Sequence, residues 1–222
     1  MLIRDAAAGD WPGIWAFMSR IVAAGDTFCW DTGTTSDQAR AMWLHEPPGA
    51  TLVAVDADGT IVGTGELHPN QGGGGAHIAN AGFMVSPEHG RRGIGRALAE
   101  RILDRARAYG YPAMQFNAVV ATNTGAVALW RSLGFEVLAT VPDGFRHPTE
   151  GYVGLHIMYR KLLSNTPGTC ACDKFRKPQG HRAYRSLDIA SSWPAGGIDV
   201  APPQEGPSRF DERQSRVRTA ES

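Results

Sequence analysis

The 222-residue chain lacks the features that mark several protein classes. No apolar run approaches the ~20 residues needed to cross a bilayer, so no membrane span is expected. The opening Met1-Leu2-Ile3-Arg4-Asp5 does not have the basic-then-apolar layout of a secretory leader. Its three cysteines, Cys29, Cys170 and Cys172, are odd in number and unevenly spaced. That argues against a disulfide framework and points to a cytoplasmic protein. Lysine plus arginine equals aspartate plus glutamate at 22 each, so no net field recruits nucleic acid or a membrane surface. Two phosphate-binding fingerprints are missing as well. After Gly93-x-Gly95, Leu98 stands where a dinucleotide site has its third glycine, and no lysine follows the glycines to make a P-loop.

What is present centres on Phe83 to Arg105. An apolar strand ends at Val85, Pro87 stops it, and a loop of Gly90, Arg91, Arg92 and Gly93 leads into a helix from about Ile94. Ile94, Ala97, Leu98, Ile102, Ala106 and Tyr109 recur at helical spacing, with Arg96, Glu100, Arg101 and Arg105 mainly opposite. The first turn of such a helix leaves backbone N–H groups without partners, and its dipole favours an anion there. Glycines allow close approach, and Arg91, Arg92 and Arg96 add positive charge. These features together read as a cradle for a pyrophosphate.

Around this stretch the chain reads as one mixed sheet wrapped by helices, an α/β (α+β) domain over residues 1–163. After a short strand at Ile3-Arg4, Asp10 caps a helix with Pro12 in its first turn. Ser36 caps a second helix that stops before Pro47-Pro48. Thr51–Val55 and Thr60–Gly65 form a hairpin around Asp58-Gly59, with Glu66, Leu67 and His68 following it. Ile78–Val85 and Pro112–Val120 are strands, the second with Met114, Phe116 and Ala118 on one face. Thr124–Ser132 is a helix ended by Gly134, and Phe135–Val141 and Tyr152–Tyr159 close the sheet. Residues 164–222, rich in Pro, Gly, Ser and Arg, are expected to be a disordered tail. Cys170, Cys172 and His181 fall in it without a fourth ligand, and no metal site is expected.

Two segments resemble one family. Val85 to Leu98 (V-S-P-E-H-G-R-R-G-I-G-R-A-L) is similar to the acetyl-CoA signature of the GCN5-related N-acetyltransferases, with Gly90 in the place usually held by Arg or Gln. Thr122 to Glu136 resembles the same family's Asn…aromatic…Gly-Phe segment, in the family's order. H-I-A-N-A-G-F-M-V and F-N-A-V-V-A-T-N further resemble the branch containing proline-analogue acetyltransferases. The resemblance implies a mostly antiparallel sheet of six to seven strands with about four helices. It implies acetyl-CoA as co-substrate, and a neutral amine of a small molecule or amino acid attacking the thioester directly.

Carried over residue by residue, the resemblance implies that the Phe83, Met84 and Val85 backbone pairs with the pantetheine arm. The N–H groups of Arg91, Arg92, Gly93, Ile94, Gly95 and Arg96 would take the diphosphate, and Asn123 would meet the arm. Asn80 and Asn117 would orient the acceptor or stabilise the oxyanion, while Phe28, Trp30 and His147 would wall the acceptor pocket. Glu66, His68 and His77 are candidates for the base, with Glu66 placed among the catalytic residues. Trp130 occupies the place of the family's usual tyrosine acid. Either water or another residue protonates sulfur, or CoA leaves as thiolate. The sequence leaves open a protein N-terminal or lysine acetyltransferase and a catalytically silent acyl-CoA-binding module. It also leaves open a homodimer.

Overall fold

The computed structural model describes residues 1–163, and the expectations for the segment beyond Leu163 lie outside the described residues. Seven strands lie side by side in the order β1-β2-β3-β4-β5-β7-β6. They are β1 (Leu2–Asp5), β2 (Ala50–Val55), β3 (Ile61–Pro69), β4 (Ile78–Val85), β5 (Ala113–Val120), β6 (Glu136–His147) and β7 (Gly151–Lys161). Four α-helices cover the sheet: α1 (Trp11–Ala24), α2 (Ser36–Trp43), α3 (Ile94–Ala108) and α4 (Thr124–Ser132). This is the α+β architecture that the sequence suggests. No helix among the described residues is long and apolar enough to cross a membrane.

Each face of the sheet buries its own core. On one face α3 packs Ile94, Leu98, Ile102 and Ala106 against Leu52, Val62 and Leu67. Burying each large aliphatic side chain contributes about 1.5–3 kcal/mol. The close fit depends on Gly63, where a Cβ would come within 2.9 Å of Ile94 Cγ2 and 3.1 Å of Leu98 Cδ1. On the other face α1 and α2 bury Ile14, Phe17, Met18, Val22 and Trp43 over Val53 and Met84. Trp43 is tied down by its Nε1, which donates to Thr64 Oγ1 at 3.0 Å.

All strand pairs are antiparallel except β4 and β5, which run parallel and pair only through Ile78 with Ala113 and Ala79 with Met114. Beyond Ala79 the two strands part. A bulge between Phe116 and Val119 shifts the register of β5 on β7, so Asn117 and Ala118 are exposed while Val119 turns inward. The expected alternation that put Ala118 on the same face as Met114 and Phe116 therefore fails at that bulge.

Other boundaries also move. Thr35, not Ser36, caps α2: its Oγ1 accepts from Gln38 N and Gln38 Oε1 accepts from Thr35 N, a reciprocal capping pair. Ser36 instead accepts a hydrogen bond from Trp11 Nε1. Asp10 precedes α1 without capping it, because Arg4 and the Ala7 N–H engage its carboxylate. β3 continues to Pro69 and so contains Glu66 and His68, and β6 runs on to His147.

Candidate active site

Where β4 and β5 part, the sheet opens a cavity of about 350 Å³. A second cavity of about 330 Å³ shares Thr27, Phe28, Phe83 and Asn123 with it, and continues along Met84 and Val85 to Pro87. The two form one groove along the edge of β4. That edge is paired on its other side with β3 over the whole of Ala79 to Val85. Toward the groove no strand covers it past Ala79. Phe83 and Val85 are half-buried, and Met84 turns its side chain into the α1/α2 core, so only its backbone reaches the groove.

The β4–α3 connection lies beyond the groove's Pro87 end. Its chain is held in a tight turn by Arg91 (φ 61°) and Gly93 (φ 79°), both left-handed. The first backbone bond into α3 is donated by Ala97 to Gly93. None of the backbone N–H groups from Arg91 to Arg96 has a partner among the described residues, so six donors in succession are left for an anion. The guanidinium groups behave differently from the sequence expectation. Arg92 pairs with Asp56 at 3.3 Å. Arg96 donates to Ser132 Oγ at 2.6 Å and lies near Glu100 at 3.7 Å, on the α4 side of its helix. Only Arg91 of the three has no acidic side chain within salt-bridge distance among the described residues. A further clamp was not anticipated: Glu88, just before the loop, pairs with Arg20 of α1 and accepts from Ser86 Oγ at 2.6 Å. These bonds hold its carboxyl well below the usual range, at about 2.

At the other end, the 350 Å³ cavity brings together Asn80, Asn117, Glu66, His68, Phe28, Trp30, Asn123 and Trp130. Phe28, Trp30 and Trp43 stack edge to face with ring centres 5.8–6.1 Å apart and form one wall. Trp130 packs on Phe83 and Phe116 at 5.0 Å and forms another. Asn80 Oδ1 accepts from Ala81 N, which leaves its amide hydrogens for the cavity. Asn117 is held at both ends: Oδ1 accepts from Gln115 Nε2, and Nδ2 donates to Asn70 Oδ1. Asn123 caps α4 through Oδ1, which accepts from Ala126 N. Cys29 lines the same wall; its side chain is exposed, and partial desolvation raises its thiol pKa.

Glu66 is only 6% exposed, yet it lines the cavity. Its Oε2 lies 3.1 Å from His45 Nε2 and 3.6 Å from His68 Nε2. His45 had no signal in the sequence, since it lies 21 residues upstream on an irregular connection. Two expected members stay apart from this group. His147 ends β6 and does not line the cavity; its Nδ1 accepts from Thr149 N and Glu150 N across its own hairpin turn, which fixes it there. His77 is exposed and its Nδ1 bonds Gly74 O.

Comparison with known proteins agrees with this architecture. A sequence profile described as the acetyltransferase (GNAT) family matches residues 15–135. The chain is 37% identical over 111 residues to the N-acetyltransferase aca1 of Schizosaccharomyces pombe, a match covering 50% of this chain and 53% of that protein. It thus spans about half the length of that relative. It is 30% identical over 147 residues to the L-methionine sulfoximine/L-methionine sulfone acetyltransferase of Pseudomonas aeruginosa, covering 64% of this chain and 83% of that one. Among solved structures, a GCN5-related N-acetyltransferase from Kribbella flavida superposes with a TM-score of 0.70 at 52% identity, over 72% of this chain and 96% of that chain. A sheet split at β4 and β5, a donor-rich β4–α3 turn and a family match across both motifs lead to one statement: the chain belongs to the acetyltransferase (GNAT) family.

Proposed function

We propose that residues 1–163 form an acetyl-CoA-dependent N-acetyltransferase that acts on the amine of a small molecule or amino acid. The observation that carries this reading is the uncovered edge of β4. It leads from the unpartnered amides of Arg91 to Arg96, along Phe83–Val85, into a cavity with a buried carboxylate. An extended pantetheine arm fits such an edge as an added strand would, and a diphosphate fits the six N–H groups. The coenzyme supplies the activated acyl group, and the chain's residues perform the remaining tasks.

An acceptor amine is mostly ammonium near neutral pH, so a base must take its proton before attack. Glu66, with His68 beside it, is the carboxylate placed to do so. Asn80, with its Oδ1 engaged by Ala81 N, has its amide hydrogens available to stabilise negative charge developing on the acyl oxygen, and Asn117, held by Gln115 and Asn70, orients the acceptor. Phe28 and Trp30 shape the pocket for the body of the acceptor. Trp130 cannot give up its indole proton near neutral pH, so the leaving sulfur takes its proton from water or departs as thiolate.

A cavity of about 350 Å³ walled by aromatic rings suits a small acceptor better than a peptide. The relative that acts on L-methionine sulfone supports the same substrate class. The test is thiol release from acetyl-CoA with a panel of L-methionine sulfone, azetidine-2-carboxylate, spermidine and an alanine-initiated peptide. Turnover with a small amine and none with the peptide is expected. Coenzyme binding without turnover of any of them would make the domain a binding module, and preference for the peptide would make it a protein acetyltransferase.

A further inference from the structure

Three metal-ligating groups converge where the connection after α2 meets β3. His45, Glu66 and His68 each bring one ligand atom, and these atoms all lie within 4.8 Å of one another. Glu66 and His68 stand at i and i+2 on β3 and so share a face. The two imidazole rings are 5.0 Å apart. Glu66 Oε2 and His45 Nε2 are both sealed from solvent and have no hydrogen-bond partner among the described residues. Their 3.1 Å separation is short enough for a hydrogen bond, but the atoms are not aligned for one.

Two such atoms left bare lose their hydration without compensation. Each has under 1 Å² of accessible surface and no protein partner, and a cation that both atoms ligate would supply the missing interaction. Zinc holds nitrogen and oxygen ligands at roughly 2.0–2.2 Å, which sets tetrahedral neighbours about 3.4 Å apart. The 3.1 and 3.6 Å separations lie on either side of that value. His68 has a second feature of a ligand. Its Nδ1 lies 2.8 Å from Pro69 O, a bond that keeps the proton on Nδ1 and leaves the Nε2 lone pair toward the cluster.

We propose that His45, Glu66 and His68 bind a divalent transition metal of the zinc class, with a further coordination position open to the cavity that Glu66 and His68 line. The site departs from the metal-free expectation of the sequence. Its readout is metal binding rather than acetyl transfer; a Glu66 oxygen held by the metal does not take the amine's proton, so the metal-bound form excludes Glu66 from the base role.

The test uses the full chain carrying Cys170→Ser and Cys172→Ser, which removes the thiols of the tail. ZnCl2 is titrated by calorimetry, and CoCl2 is followed by visible absorption. One equivalent of zinc should bind with micromolar or tighter affinity, and cobalt should give bands of low-symmetry nitrogen and oxygen ligation. Glu66→Gln and His45→Gln should each weaken zinc at least about tenfold, while His89→Gln should not. Absence of binding, or equal binding by the parent and both variants, overturns the site and leaves the three groups sharing protons only. Should the variants fail to fold, the long-range ¹⁵N spectrum of the parent decides. Zinc must move the Nε2 signals of His45 and His68, and unmoved signals overturn the proposal.

Discussion

Charge reversal at Arg91 tests how the β4–α3 turn treats an anion. Arg91 is exposed and has no acidic side chain within salt-bridge distance among the described residues, whereas Arg92 faces Asp56 and Arg96 faces Ser132 and Glu100. A diphosphate on the loop amides would lie about 6 Å from its guanidinium, where two unit charges in water interact by about 0.7 kcal/mol. Arg91→Glu changes the charge by two units against about two negative charges, or about 2.8 kcal/mol unscreened. Screening over about 8 Å at 0.15 M salt reduces this to about 1.3 kcal/mol, roughly a tenfold rise in KM for acetyl-CoA. At 1 M salt the screening length falls to about 3 Å and the effect to about twofold. Arg96→Glu, on the α4 side of its helix, should raise KM far less. Steady-state thiol release across a salt series measures all three quantities. A KM for Arg91→Glu within twofold of wild type at low salt would refute the reasoning, and so would a rise that salt leaves untouched.

Four further outcomes follow from the same geometry. Arg91→Gly relieves a left-handed φ of 61°. It should stabilise the fold by about 1 kcal/mol while still weakening the donor, read as a higher melting temperature beside a higher KM. Glu66→Gln should lower kcat by about 10²-fold or more with the KM for acetyl-CoA unchanged, and comparable kcat would remove Glu66 as base. Thr35→Ala breaks the reciprocal cap of α2 and should cost about 1 kcal/mol by urea unfolding, more than Asn at the same position. Glu88 has a carboxyl held at about 2 against an ordinary 4.5, so the stability from its clamp to Arg20 is present above about pH 4.5 and is lost as pH falls toward 2. Acid unfolding of Glu88→Gln should lack that component, and superimposable acid curves would deny the clamp a role.

The elements around the donor site were legible because local chemistry marks their ends. Ile78–Val85 is an apolar run stopped by Pro87, and Thr124–Ser132 ends before Gly134; the structure gives the same bounds. The acceptor end was less legible. Its geometry comes from chain pairing that no local pattern encodes. The bulge at Asn117 and Ala118 comes from register with β7, and the extension of β3 through Glu66 and His68 comes from pairing with β4. His45 joins Glu66 only through the tertiary fold, from a connection with no periodicity of its own. The side chains of Arg92 and Arg96 were read from loop composition as adding positive charge beside the diphosphate-binding amides. Their actual partners, Asp56 and Ser132, come from distant segments. His147 was carried to the pocket by resemblance, and the structure puts it at the β6–β7 turn.

Amide hydrogen–deuterium exchange of the full chain, with and without acetyl-CoA, tests the central claim most directly. Binding should slow exchange across Arg91–Arg96, where backbone donors lack partners among the described residues, and in those of Phe83–Val85 that face the groove rather than β3. Unchanged exchange in both segments at saturating acetyl-CoA, or protection confined to another part of the sheet, would contradict it.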